Sequence, residues 1–361
     1  MVKPRPEFWK GKRVLVTGHT GFKGSWLVLW LEALGAVPLG LSLAPESTPS
    51  LSDAAGIESR FESIRCDIRD GDRLKAAVSA LAPDIVLHLA AQTLVRRSYQ
   101  EAILTFETNV MGTAHLLEAV RTTPSIQAVV IVTTDKCYEN NEWVWAYREI
   151  DALGGHDPYS ASKACAEILT ASWRRSFLSG KNKGDRKISV ATARAGNVIG
   201  GGDWAADRLV PDCVRAFGRG ESVVIRNPKA TRPWQHVLEP LCGYLVLAER
   251  LVRDGDECAE AWNFGPDAND VQPVSWVLDQ LVAKWGGDAR WELASGDHPH
   301  EAGLLAVDAA KGRARLGWRP RLALTEAIEW TADWYKRAHS GEDASQLVLE
   351  QIKAYEVKEV G

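Results

Sequence analysis

Three groupings of residues in this 361-residue chain are equipped for chemistry. Tyr159 and Lys163 stand four apart in YSASK, a spacing that sets both on one face of a helix. An ammonium beside a phenol lowers the phenol's pKa, so such a pair can take a proton near neutral pH. Asp135 and Lys136 follow the apolar run VIVTT. The core that Val130, Ile131 and Val132 need would not hold those charges cheaply. The pair is therefore either a solvated turn or a delivery of two charged groups by a strand tip into a site. Gly18, Gly21 and Gly24, in TGHTGFKG, fall between a short β-rich run and a helical period. Gly18 permits a tight turn, Gly21 lets backbone approach a pyrophosphate, and Gly24 lets helix and sheet pack closely. The helix N-terminus then offers free N–H groups to phosphate. Thr20, Phe22 and Lys23 complete this loop as candidate dinucleotide contacts.

A dinucleotide site of this kind usually has an acid about 20 residues further on, at the end of strand two, to hold the ribose 2′-OH. Here that strand ends LSLAPES. Ser42 or Glu46 could substitute, and Lys23 would tolerate a 2′-phosphate. The expected cofactor is NAD, favoured over NADP by only a small factor. Asp67 and Ile68, just after strand three, are placed to reach the adenine amine.

The elements that must position these residues alternate through the first half. Strands are expected at 13–18, 36–43, 63–68, 84–91, 128–134 and 188–196, with helices at 23–34, 72–81, 105–122 and 159–176. Strands separated by helices give right-handed crossovers and a parallel sheet covered on both faces. Beyond Gly200 the alternation weakens, with helices expected near 208–218, 237–252, 276–285 and 324–338. The reading is an α/β fold: a Rossmann-type doubly wound parallel sheet over 1–195, with a smaller α+β substrate domain mainly over 196–361. Segments near 235–265 are expected to return to the first domain. The charged tail after Ser340 gives no reading of its order.

Composition excludes several classes. The chain is 45% hydrophobic and 25% charged, enough for a sizeable core, and its net charge of -4 leaves no footprint for nucleic acid or an anionic membrane. Its most apolar stretch, 26–43, carries Glu32 and breaks at Gly35 and Pro38, so it reads as helix then strand rather than a membrane span. The basic N-terminus lacks the apolar segment of a signal peptide. Six dispersed cysteines suit a reducing cytoplasm. His298-Pro299-His300-Glu301 has metal-like residue types, but nothing else supports it and no metal is expected. His88, inside an apolar strand, reads as a core histidine, and Cys137 has no base to make it a nucleophile.

Taken together, the glycine triplet, the Thr133-Thr134 strand end and YSASK resemble the extended short-chain dehydrogenase/reductase family. Leu89, Ala90, Ala91 and Gln92 match that family's Ala-rich segment on the cofactor side, and Thr134 matches its Ser/Thr. Nucleotide-sugar 4,6-dehydratases carry Thr-Asp-Glu after strand five, where this chain has Thr134-Asp135-Lys136. With GNVIGGGDW (196–204), RPWQHV (232–237) and the stretch 298–320, that departure is most similar to the members that act on CDP-glucose. The resemblance implies a nucleotide-sugar substrate and a cycle in which Tyr159 takes the O4 proton, Lys136 acts at C5 and Asp135 protonates the departing C6 hydroxyl. As a base Lys136 must be neutral; alternatively it acts only electrostatically. Thr133, Tyr159 and Lys163 would also touch the cofactor. Asn197 suits a pyrophosphate, Arg232 could fork onto a phosphate, and Gln92, Arg208 and His236 are further substrate candidates, with Arg194 a weaker one. The family commonly dimerises through the helices at 102–122 and 159–176, so a homodimer or a tetramer is expected.

Overall fold

The computed structural model describes residues 2–179, 187–294 and 303–359. Seven strands form the central sheet: β1 (Arg13–Thr17), β2 (Val37–Ser42), β3 (Ser63–Arg65), β4 (Ile85–His88), β5 (Ala128–Val132), β6 (Ser189–Ala195) and β7 (Ala261–Phe264). Their order is β7-β6-β5-β4-β1-β2-β3 and every pairing is parallel. Alternate residues of β1 enter different cores, Val14 and Val16 on one face and Leu15 on the other, as a sheet covered on both sides requires.

The principal helices are α1 (Phe22–Ala33), α2 (Gly71–Leu81), α3 (Gly112–Thr122), α4 (Pro158–Trp173) and α5 (Leu238–Asp254). α2 and α3 pack together on one face, while α5 lies against β5 and β6 on the other, the face that also carries α1. α5 and β7 bring residues 238–264 back onto the sheet, and β7, expected only as part of a returning segment, pairs with β6 from Ala261↔Thr192 to Phe264↔Ala195.

Two expectations change in detail. The helix expected at 105–122 begins at Ala102–Phe106, passes through a π turn at Glu107–Met111 and continues as α3. The tail, left unread, contains a helix over Ala344–Val357, which packs on α1. Its Leu347, Val348, Ile352 and Tyr355 are buried at helical spacing, and the Tyr355 hydroxyl donates to Glu239 Oε2 at 2.7 Å. The His298–Glu301 motif lies outside the described residues.

Candidate active site

Parallel strands all end at one edge of the sheet, and most of the candidate residues gather there. Beyond β5, Thr134 caps a short turn over Asp135–Cys137, its hydroxyl accepting from the Lys136 N–H at 3.3 Å. Asp135 is only 2% exposed. Its Oδ1 accepts from Thr134 Oγ1 at 3.0 Å, and its Oδ2 has no partner among the described residues. Burial pushes this carboxyl's pKa up, against the opposing pull of Lys136, the Thr134 bond, Arg232 and Lys23. A side chain at Gly196 would bring its Cβ to 2.9 Å from Asp135 Oδ2, so glycine is required there. A buried carboxyl held toward its protonated form, with one oxygen free, is suited to donate a proton. The solvated-turn reading of Asp135 is therefore dropped. Lys136 is half-buried beside it.

α4 starts at Pro158 behind an Asp157 cap, whose Oδ1 accepts from Ser160 N–H at 2.9 Å. One face of the helix carries Tyr159 and Lys163, both buried. Lys163 Nζ donates to Val132 O at 3.2 Å, tying the helix to the strand that leads into Thr134. Lys163 is not among the influences that lower the phenol pKa. Burial pushes Tyr159 up to about 12, the Thr134 hydrogen bond being the largest opposing influence, and burial pulls Lys163 down to about 8. With the lysine turned to a backbone carbonyl, desolvation dominates.

The glycine loop has the shape a dinucleotide needs. Gly18 adopts φ 75°, and a Cβ there would meet Ala90 N at 2.8 Å, so the loop lies directly on the 89–91 segment. Ala90 N–H and Leu89 N–H both donate to Thr17 Oγ1 at 3.2 Å, fixing that segment to β1. A Cβ on Gly24 would lie 2.2 Å from Gly18 O and 2.7 Å from His19 Cα, both backbone atoms unable to swing aside. We expect Gly24→Ala to weaken dinucleotide binding by ~10–100-fold, since overpacking costs about 1–3 kcal/mol. Titration calorimetry measures this, and unchanged affinity would show that the loop is no cradle.

Some loop residues have other duties. Thr20 Oγ1 donates to Leu43 O at 3.0 Å and pairs with Ser42 Oγ at 2.7 Å, which turns the Ser42 proton toward Thr20 and leaves the Ser42 oxygen able to accept. Glu46 accepts from Arg97 at 3.0 Å. Lys23 points the other way from a 2′-phosphate: its surroundings include Arg208, Asp135, Lys163 and Asp203, and burial followed by Arg208 pulls its pKa down to about 7. The first turn of α1 aims it at the catalytic end, a direction the motif does not disclose. Asp67, half-exposed just after β3, accepts from Arg69 Nη2 at 2.6 Å, with Ile68 buried beside it. Phe22 is half-buried and touches the Gly200 turn.

On the substrate side, Arg208 Nη1 donates to Asp203 Oδ2 at 2.9 Å and Nη2 to Thr93 Oγ1 at 3.0 Å. Its charge is felt by the Tyr159 phenol. Arg232, 8% exposed, acts on Asp135, and Asn197 is half-buried next to Gly196. Four other candidates are committed elsewhere. Gln92 Nε2 donates to Thr105 Oγ1 at 2.9 Å and to Leu94 O at 3.1 Å, shaping its own loop. His236 is wholly buried between Trp26 and Trp330, edge-on at 5.8 Å to each, and burial pulls it down to about 3. Thr133 Oγ1 donates to Glu167 Oε1 at 2.5 Å, below the site. Arg194 is paired with the same glutamate at 2.8 Å and 3% exposed, so it is a core group and no phosphate ligand. His88 is a core histidine, bonded to Thr17 and Thr113, and burial pushes the Cys137 thiol up, away from nucleophile behaviour.

Sequence reasoning passed over three contributors. Asn109, turned inward by the π turn, donates to Gln92 O and Ser162 Oγ, both at 2.9 Å, joining the 89–92 segment to α4. Asp203 and Glu167 anchor Arg208 and Arg194. Asp203 lies in the glycine cluster GGGDW, and Glu167 continues the Tyr159, Lys163 spacing by four, the two signals that could have found them. Among the described residues no cluster of three His, Cys, Asp or Glu side chains is arranged to hold a metal ion.

Comparison with known proteins gives a consistent picture. The family model for GDP-mannose 4,6 dehydratase matches residues 15–257. A CDP-glucose 4,6-dehydratase of Salmonella typhimurium is 51% identical over 96% of this chain and 97% of its own length. A dTDP-glucose 4,6-dehydratase of Xanthomonas campestris is 28% identical over 89% of this chain and 92% of its own. Among solved structures, a Thermotoga maritima UDP-glucose 4-epimerase superposes with a TM-score of 0.76 at 20% identity, covering 91% of this chain and 99% of that one. A Bacillus anthracis dTDP-glucose 4,6-dehydratase in complex with NAD reaches 0.75 at 21%, covering 94% and 100%. At such identities these two speak to the fold alone.

Proposed function

The chain belongs to the GDP-mannose 4,6 dehydratase family, within the extended short-chain dehydrogenases/reductases that act on nucleotide sugars, and from that premise we propose that it converts CDP-glucose to CDP-4-keto-6-deoxy-glucose. One observation carries the reading: 51% identity over nearly the full length of both chains to a relative of that activity. The buried Asp135 beside Tyr159 supports water loss over epimerisation on the same fold, because an epimerase needs no acid for the C6 hydroxyl.

The cofactor is NAD, held by Gly18, Gly21, Gly24 and the first turn of α1 against Leu89, Ala90 and Ala91. Bound there, it would supply a hydride acceptor and donor for C4 and C6, and its positive charge would lower the phenol pKa that burial raises. The residues of the chain handle the protons. Tyr159, hydrogen-bonded with Thr134, takes the O4 proton, and Lys163 holds positive charge at the end of β5. A 4-ketone acidifies C5, where Lys136 acts as base or as a charge that stabilises the enolate. Asp135, whose carboxyl burial shifts toward its protonated form, gives a proton from Oδ2 to the leaving C6 hydroxyl. Each positioned proton transfer contributes about 10²–10⁴-fold. Arg208, Arg232 and Asn197 bind the diphosphate and its nucleoside.

The substrate domain comprises mainly 196–361, with 235–265 completing the sheet. Two copies pair through the helices at 102–122 and 159–176, where Ile103, Met111 and Ile168 expose apolar surface. A cytoplasmic location belongs to the same proposal and is supported by the six cysteines, all free thiols. Incubation with CDP-, dTDP-, GDP- and UDP-glucose tests the reading through the absorbance of 4-keto-6-deoxy product in base. Product from CDP-glucose in preference to the other three is expected; equal product from all, or none, would overturn it.

A further inference from the structure

We infer that Tyr138, through the buried Glu167–Arg194 pair, is a positioning residue that holds the turn bearing Asp135 and Lys136 against the catalytic helix. This rests on the dehydratase reading above. The turn is fastened at both ends by one ion pair. At its start, Thr133 Oγ1 donates to Glu167 Oε1, and at its end Arg194 Nη1 donates to the Tyr138 hydroxyl at 2.8 Å, its guanidinium 4.9 Å from the ring centroid. The Tyr138 hydroxyl in turn donates to Asn263 Oδ1 at 2.7 Å on β7. Arg194 Nη2 closes the frame on Glu167 Oε2 at 2.8 Å, which also accepts from Thr192 Oγ1 at 2.6 Å.

Glu167 lies four residues beyond Lys163 and eight beyond Tyr159, so the groups that oxidise C4 and the clamp on the acid-bearing turn belong to one rigid helix. An ion pair with each side chain only 3% exposed is a weak stabiliser compared with well-packed apolar residues. What it supplies is geometry. Its polar groups admit one arrangement, and the two residues it grips, Thr133 and Tyr138, bracket the four residues Thr134, Asp135, Lys136 and Cys137. An acid displaced by ~1 Å from its acceptor loses about 10²-fold.

The test uses the full-length enzyme with CDP-glucose in deuterium oxide and compares two rates, formation of dehydrated product and deuterium appearance at C5 of recovered CDP-glucose. Tyr138→Phe deletes one hydroxyl and leaves the ring packed. Arg194→Lys keeps the charge but loses the fork. If the clamp aims the acid, C4 oxidation and C5 exchange continue while water loss slows, so the ratio of exchange to product rises at least ~10-fold, with KM nearly unchanged. A merely structural role lowers melting temperature and scales both rates together. An unchanged ratio in both variants overturns the inference while the wild-type product keeps the dehydratase reading. A wild-type enzyme that forms no product overturns both.

Discussion

Tyr159→Phe should lower C4 oxidation by about 10²–10⁴-fold, the range of a positioned proton transfer, while the fold survives. The substitution removes a single hydroxyl, and the ring stays packed on α4 behind the Asp157 cap. Dinucleotide affinity should fall by no more than ~10-fold, the worth of about one hydrogen bond. The size of the loss follows from the pocket. Burial pushes the phenol up to about 12, and the hydroxyl's partner is Thr134, not Lys163. Neither His88 nor His236 can take over, since both are enclosed in the core. Near-native product formation by the variant would place the proton acceptor elsewhere.

Asp135→Asn should divide the cycle. Asn has almost the same size, so the contacts with Thr134 and Gly196 can persist, but it has no acidic proton to give the C6 oxygen. Water loss should fall by about 10²–10⁴-fold while C4 oxidation continues. The C5 proton of the trapped 4-ketone should still exchange with deuterium oxide. Lys136→Met should also stop elimination, and there the C5 exchange falls with it. Mass spectrometry of recovered substrate and product separates the cases. If both variants lose water at the native rate, the turn after β5 has no part in the chemistry.

Much of the frame was readable before the fold was known, because it rests on local signals. The six strands and four helices of the first half announce themselves by apolar runs and helical period, and the glycine triplet fixes the first crossover. β7 was missed as a discrete strand: AWNF is four residues long, and its β character comes from pairing with β6, 66 residues or more away in sequence. The π turn at Glu107–Met111 leaves no mark on a 3.6-residue period, yet it turns Asn109 inward to hold the 89–92 segment. The site divides in the same way. Asp135, Tyr159 and Lys163 could be placed from the strand end and the i, i+4 spacing. Gln92, Thr133, Arg194 and His236 could not, because polar residues near strand ends look alike until a distant partner claims them. Thr105, Glu167 and Trp330 are those partners. Lys23 shows the same limit for direction: its motif says loop, and only the helix register says which way it points.

The central claim is that one pocket oxidises C4, expels water across C5–C6 and gives the same hydrogen to C6. It is tested most directly with CDP-glucose carrying deuterium at C4, converted in ordinary water and read by mass and proton spectra of the sugar. The account predicts a 4-keto-6-deoxy sugar with the deuterium on its C6 methyl group and a solvent proton at C5. Deuterium lost to solvent, or retained at C4 of a sugar that still bears its C6 hydroxyl, would contradict it.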